Sequence, residues 1–469
     1  MKRILAAFAG AALAGLAGAA ALAQTESPPP AAEAKNFELA APTDITLDNG
    51  MRVTMVPFGN VPKVTLYASV RVGDLNAPGR PGLAELTASM LTEGAGGRDA
   101  GALARAAAAM GGQITVRAGA EQTIVGIDVL AEFAGEALGL VADVLRRPML
   151  PAAEFERVQA NVARNVAVAR SQPGPQANIV FLRALYGDHP LGTPLPTVDE
   201  ISEYGAADVE MFHAEQFGAA RTHLYVVGQF DLDPLTAAVR DAFGEWEAGP
   251  ERLIGVPTPA RERRVLLVDR PDAPQATLRL GLPVMDASDD DYVAMTVVNT
   301  LLGGSFFSRI TANIREDKGY TYSPGSAIDS RYRAAHWVQQ ADVTTEATGA
   351  SLVEIFKEIG LVRMEPPAND DLRKYQNYAA GIFVLQNASR GGIAQSLATL
   401  DFHGISRARL ENYVDDVMAV SPEKVRMLAD AELVPEDMTL VVVGPLESVQ
   451  MQLAQVPELE GVMTEVAAP

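Results

Sequence analysis

The chain is 469 residues long, 48% apolar and 21% charged, with a formal net charge of −21 and no cysteine. That length predicts several core-bearing units, the missing cysteine excludes disulfides and thiolate metal sites, and the acidity excludes an electrostatic affinity for nucleic acid. No basic, aromatic-interleaved patch argues otherwise.

At the start, Lys2 and Arg3 precede an Ala/Leu/Gly run that closes on Ala21-Leu22-Ala23. A basic start, an apolar stretch and a small-x-small ending predict a cleavable secretory signal over residues 1–23, and hence a periplasmic protein. Its removal would take the formal charge from −21 to −23. No later window reads as a long uncharged apolar run, so no direct membrane insertion is expected after cleavage. Residues 24–43 are rich in Pro, Ala and Glu and read as a linker.

An N-terminal domain is expected over residues 44–246. Strands at 44–47 and 51–56 flank Asp48-Asn49-Gly50, the hairpin signal of an N-G turn. Residues 64–72 alternate with period two, as a half-buried strand does, and Pro81 then opens a helix. An Ala-rich helix over 100–110 stops at Gly111-Gly112. Strands follow at 113–116 and 122–130, then helices over 131–147 and 151–170, and another after Pro173. A loop-rich segment, YGDHPLGTPLPTVDEI, leads to a helix over 206–216, a strand at 222–228 and a helix to about Trp246.

Residues 247–261 have the Pro/Gly content of a linker, and the plan restarts in a C-terminal domain over 262–458, with a tail at 459–469. Strands at 264–268 and 276–282 precede a helix over 289–302. Late in the chain, PEDMTLVVVGPLESV repeats the cadence of RTHLYVVGQFDLDPL. The expected fold is α+β: two homologous halves, each a mixed or antiparallel sheet covered by helices.

The stretch 301–323, LLGGSFFSRITANIREDKGYTYS, carries the chemistry. It reads as a helix end, a Gly303-Gly304 turn, a helix over about 307–318 capped by Gly319, and a strand entered at Thr321. That geometry brings Arg315 near Tyr322. A guanidinium and a phenol aimed at one point suit the grip of a peptide backbone or a developing oxyanion. The same residues also fit a solvated charged run and a core strand. Tyr320 is a neighbouring phenol on the opposite face of such a strand.

The order of LDNGMRV, RPGLAELTASMLTEGAG, YGDHPLG with TVDEI, LYVVG, and LLGGSFFSRI with IREDKGYTY resembles the pitrilysin/insulinase-type (inverzincin) peptidases in their short two-domain bacterial form. Active members carry H-x-x-E-H, two histidine zinc ligands around a glutamate that activates water. The matching positions here hold Glu85 for the first histidine, Ala88 for the base and Ser89 for the second histidine. Asn165, in Val162-x-x-Asn165, stands where the family's distal glutamate ligand falls. Zinc wants imidazole, thiolate and carboxylate, so no metal is expected on this chain. The five histidines, His189, His213, His223, His336 and His403, are widely separated, and His189 suits a structural hydrogen bond.

Arg315 and Tyr322 match the family's Arg/Tyr pair, which binds the substrate backbone and steadies the tetrahedral intermediate. The resemblance therefore implies a non-catalytic subunit, inactive alone, like that of the processing peptidases. Its implied partners are an H-x-x-E-H subunit that holds the zinc, in a heterodimer, and unfolded peptides. The alternative is a catalytically inactive peptide-binding or assembly protein. Gly303 and Gly304 resemble the family's substrate-handling glycine loop, and also suit a plain interhelical turn. Residues 113–120 match the edge strand to which peptides add, or serve structure alone.

Overall fold

The computed structural model describes residues 35–251 and 255–469, and residues 36–469 form one compact unit. The leader, most of the first linker and residues 252–254 of the second lie outside the described residues.

Six strands make the first sheet: β1 (Thr43–Thr46), β2 (Arg52–Pro57), β3 (Lys63–Val70), β4 (Thr115–Ala118), β5 (Thr123–Leu130) and β6 (Thr222–Gly228). Their order is β1-β2-β6-β3-β5-β4, with only β2 and β6 parallel. The second sheet uses β7 (Arg264–Asp269), β8 (Gln275–Val284), β9 (Gly325–Arg331), β10 (Ala334–Thr344), β11 (Thr439–Gly444) and β12 (Thr464–Val466). Read from its far edge the order is β12-β7-β11-β8-β10-β9, the same plan again. The outermost strands break the match. β1 pairs antiparallel with β2, whereas β12 pairs parallel with β7. Residues 459–469, expected as a tail, thus supply an edge strand.

Two further expectations change. The strand expected from Thr321 begins at Gly325; Thr321 makes only one isolated bridge, to Val343. Pro324 has no N–H to give a ladder, which accounts for the delay. The helical run Tyr292–Asp317 is also apolar and long enough to cross a membrane by composition, against the reading of no such window. Its most apolar window is 67% buried, and it serves as a core helix.

Three helices of each half correspond: α1 (Leu83–Met90), α2 (Ala152–Ser171) and α3 (Pro173–Tyr186), then α4 (Tyr292–Asn299), α5 (Asn369–Gln386) and α6 (Arg390–His403). Helices α3 and α6 are exchanged. From the first half, α3 lies on β8 and β11, where Ala177, Phe181 and Leu185 pack with Leu266, Val268, Val441 and Val443. From the second half, α6 lies on β3 and β6, where Ile393, Ala394 and Leu397 meet Val56, Tyr225 and Val227. Each half thus buries one sheet face only by borrowing a helix. Gly281 on β8 makes room for the loan: a Cβ there would lie 2.9 Å from the Phe181 ring and 2.2 Å from the Trp337 carbonyl oxygen.

Charge pins the second exchange. Asp401 on α6 accepts from both terminal nitrogens of Arg52 at 2.6 and 2.7 Å, and from Arg71 at 2.9 Å. His223 Nδ1 stands 3.3 Å from the same carboxylate, with its Nε2 2.8 Å from the Thr54 hydroxyl. Arg390 reaches Asp128 at 2.9 Å, and Arg407 reaches Asp44 at 2.7 Å. Burial works against an ionised Asp401, but the hydrogen bonds and charges of His223 and Arg52 outweigh it and hold the carboxyl well below its usual range.

Asp401→Ala leaves the buried Arg71 cation without its carboxylate and is expected to cost about 3–5 kcal/mol in urea unfolding at pH 7. Because the folded carboxyl titrates below its unfolded value near 3.9, its contribution is complete above about pH 4 and lost as the pH falls further. The acid limb of the stability curve should therefore be shallower in the variant than in the wild type.

Candidate functional site

The groove around Arg315 begins with a widened helix. Helix α4 passes into π-type hydrogen bonding over Thr300–Gly304, and Ser305 then turns extended. Such turns mark places where a regular helix would not fit its surroundings, and they recur at functional sites. The glycines explain this one. A Cβ on Gly303 would stand 2.5 Å from Ser326 Oγ and 2.6 Å from Gln339 Oε1, and one on Gly304 would stand 2.5 Å from Asn299 Nδ2. Gly303 and Gly304 are thus a close-packed helix end at the groove's rim, not a free turn.

The helix carrying Arg315 is regular only over Arg309–Thr311 and π-type over Ala312–Asp317. Asn313 anchors it by donating to Glu354 at 2.9 Å and Glu358 at 2.8 Å. Gly319 ends it at φ +67°, its N–H donating to the Arg315 carbonyl at 3.1 Å. The Thr321 hydroxyl donates to the Asp342 carbonyl at 2.6 Å, and Tyr322 follows in a bend, 78% exposed. Tyr320 does not line the groove.

Arg315 and Tyr322 do meet, and a third residue joins them. The Arg315 guanidinium carbon lies 5.0 Å from the Tyr322 ring centroid and 4.1 Å from that of Phe306. Ring contact covers the faces of a guanidinium and leaves its in-plane N–H donors available. The ion pair of Arg315 is a long one, 3.4 Å to Glu316, and among the described residues the Tyr322 hydroxyl has no hydrogen-bond partner. The groove measures about 350 Å³ and is walled by Gly303–Gly304, Ser305, Thr311 and Pro324 with these three. Phe306 escaped the sequence reading because nothing in its spacing distinguishes it from Phe307.

Two of the four degenerate motif positions line a separate cavity of about 510 Å³, which shares no lining residue with the groove. Glu85 of α1 and Asn165 of α2 line it, whereas Ala88 is buried and neither Ala88 nor Ser89 faces it. Asp74 and Arg331 join Glu85 there, Arg331 coming from the other half. Asp74 accepts from the N–H groups of Gly82 and Ala84, at 3.2 and 3.3 Å, at the start of α1. Burial nevertheless pushes its carboxyl up to about 6, and the nearby Glu85 charge adds to the rise. Burial raises Glu85 as well, against a backbone hydrogen bond from Ala118. The residue keeps surface open to the cavity, yet protein surrounds its carboxyl on most sides, and the enclosure governs its titration.

These donors do not fit zinc. A carboxylate at Glu85, a hydroxyl at Ser89 and an amide at Asn165 lack the nitrogen ligands of the motif, and among the described residues no three His, Asp or Glu side chains form a metal-binding set. Four of the five histidines make hydrogen bonds that serve structure, His223 through Thr54 as described. His189 accepts from the Leu191 N–H at 3.2 Å, His213 bonds the Leu145 carbonyl at 2.9 Å, and His336 meets the Tyr186 hydroxyl at 3.0 Å.

A twice-repeated sheet with exchanged helices, a degenerate metal cavity in one half and an Arg/Tyr groove in the other define an insulinase-type architecture. The comparisons agree. The family description "Insulinase (Peptidase family M16)" matches residues 59–197, and "Peptidase M16 inactive domain" matches residues 205–378. The chain belongs to this family. It is 30% identical over 302 residues to an uncharacterized zinc protease of Mycobacterium tuberculosis, covering 62% of this chain and 67% of that one. A peptidase M16 inactive domain from Pseudomonas fluorescens shares the fold, with 24% identity over 86% of this chain and 98% of that one and a TM-score of 0.79. A chain of complex III2 from Candida albicans does so at 14% identity, covering 88% of this chain and 99% of that one, with a TM-score of 0.72.

The raised Asp74 carboxyl has a measurable consequence. Its folded pKa lies above the unfolded one, so its stabilising contribution is complete below about pH 4 and lost as the pH rises through about 6. Asp74→Asn should flatten the stability profile between those values, and carboxyl-carbon NMR should show the wild-type group titrating near 6.

Proposed function

We propose that this chain is the non-catalytic subunit of a two-chain zinc peptidase acting on unfolded peptides in the periplasm. The observation that carries the reading is the Arg315 guanidinium, held against two rings with one long ion pair from its Nε to exposed Glu316, in a chain whose motif positions lack the histidine ligands. Zinc and the water-activating glutamate belong, in this reading, to an H-x-x-E-H partner of the same family, and the two chains form a heterodimer around the peptide.

This chain's residues then act on the substrate. Arg315 donates to a backbone carbonyl beside the scissile bond, which holds the peptide extended. The Tyr322 hydroxyl donates to the carbonyl oxygen as it gains negative charge, so its hydrogen bond strengthens towards the transition state. High exposure of Tyr322 suits a residue whose partner arrives from outside.

A second reading, a peptidase-derived binding or assembly protein, draws on the fold shared with a complex III2 chain and on the absence of an Asp, Glu or His from the groove walls. The two separate on one experiment. The chain is mixed with an H-x-x-E-H family member encoded beside it, and cleavage of an unfolded peptide is followed. Arg315→Ala and Tyr322→Phe should each lower kcat/KM by about 10²–10³, the cost of one preorganised oxyanion donor. Equal cleavage by wild type and both variants would reject the assignment. Stoichiometric zinc and cleavage by the lone chain would reject the subunit reading altogether.

A further inference from the structure

Phe306 and Phe307 are adjacent in sequence and both exposed, and they differ in what they touch. Phe307, though partly exposed, lies against other rings, 5.5 Å from Tyr375 and 5.3 Å from Tyr378, and its carbonyl accepts from the Tyr375 hydroxyl at 3.3 Å. Phe306 points out, 65% exposed. The backbone between them is held. Ser305 Oγ donates to the Thr300 carbonyl at 3.1 Å, and the Ser308 N–H donates to the Ser305 carbonyl at 3.1 Å. A pinned loop therefore presents a large apolar ring to solvent, where burial would ordinarily be favoured.

Arg315 occupies one face of that ring, at 4.1 Å. An aromatic ring has two faces, and stacking on one leaves the other to pack an apolar or aromatic group. The Arg315 donor edge is open to a carbonyl, and residues of an extended peptide advance by about 3.3 Å. A peptide whose carbonyl meets Arg315 therefore carries a neighbouring side chain within reach of Phe306. No Asp or Glu lines this groove, and the nearby Arg315 charge on the ring's other face disfavours a second cation there.

We propose that the open face of Phe306 is the floor of a side-chain subsite, which takes an aromatic or long aliphatic residue flanking the carbonyl that Arg315 grips. Phe306 is then a specificity-determining residue of the groove. This rests on the peptide-binding role given above to Arg315, and it adds the class of side chain selected.

The test uses fluorescein-labelled, end-blocked ten-residue peptides that differ only in one central residue, Phe, Leu, Ala or Ser. Anisotropy is measured against the full mature chain and its Phe306→Ala, Phe306→Tyr and Arg315→Ala variants, each checked for an unchanged melting temperature. The wild type should bind the Phe and Leu peptides about 10-fold more tightly than the Ala and Ser peptides, a typical worth for one aromatic contact. Phe306→Ala should compress that range to about 2-fold, and Phe306→Tyr should keep it. Arg315→Ala should weaken all four peptides. A preference that survives Phe306→Ala, or a wild type without preference, overturns the subsite. Arg315→Ala binding as the wild type does would instead overturn the reading beneath it. Light scattering that shows a wild-type dimer dissolved by Phe306→Ala, with the peptide preference intact, assigns the ring to self-association and also overturns the subsite.

Discussion

The structure depends on an exchange. Each sheet has a face that its own half leaves apolar, and the helix that covers it comes from the other half. Apolar contact supplies the drive, since Phe181 and Leu397 are buried almost completely on borrowed ground. Charge supplies the register. Asp401 draws Arg52, Arg71 and His223 of the first half to one helix of the second, and a helix slipped by a turn would leave Arg71 buried without a counter-charge. The two halves are one cooperative body because neither has a complete core alone.

The Arg315 groove is built on the same economy of close contact. Gly303 lets α4 end hard against Ser326 and Gln339, Gly304 folds back on Asn299, and the loop bearing Phe306 follows directly. The π-type hydrogen bonding of Thr300–Gly304 ends in glycines where a neighbour leaves no room for a Cβ, and a second π-type turn carries Arg315. What emerges is a cation clamped by two exposed rings, rigid at its root and open at its rim. In the other half, the cavity beside Glu85 and Asn165 is lined by carboxyl groups and an amide and by no histidine. Asp74 and Glu85 sit where burial makes ionisation costly, with Arg331 on the same wall.

Much of this could be read from the residues. The N-G hairpin at Asn49-Gly50, the alternation of β3 and the Gly319 cap are local signals, and each is found within a residue or two of its expected place. The family and the α+β duplication were legible because motif order survives when single motifs fail. The exchange of α3 and α6 was not, because an amphipathic helix states that one face needs cover and not which sheet supplies it. Tyr322 was misplaced onto a strand because Thr321 looks like a strand entry, while Pro324 withholds the ladder. Phe306 and Asp74 were missed for one shared reason: their roles arise from what surrounds them in space.

The exchange also orders events in time. The first sheet is fully synthesised by Gly228, but the helix that covers it begins at Arg390. At about 5–20 residues per second, an apolar sheet face waits on the order of 10–30 s for its cover. Closing that gap joins segments far apart along the chain, which slows the search and leaves a sticky intermediate meanwhile. A truncated chain ending in the second linker would keep that face bare for good, so it would survive in the cell only while a chaperone held it.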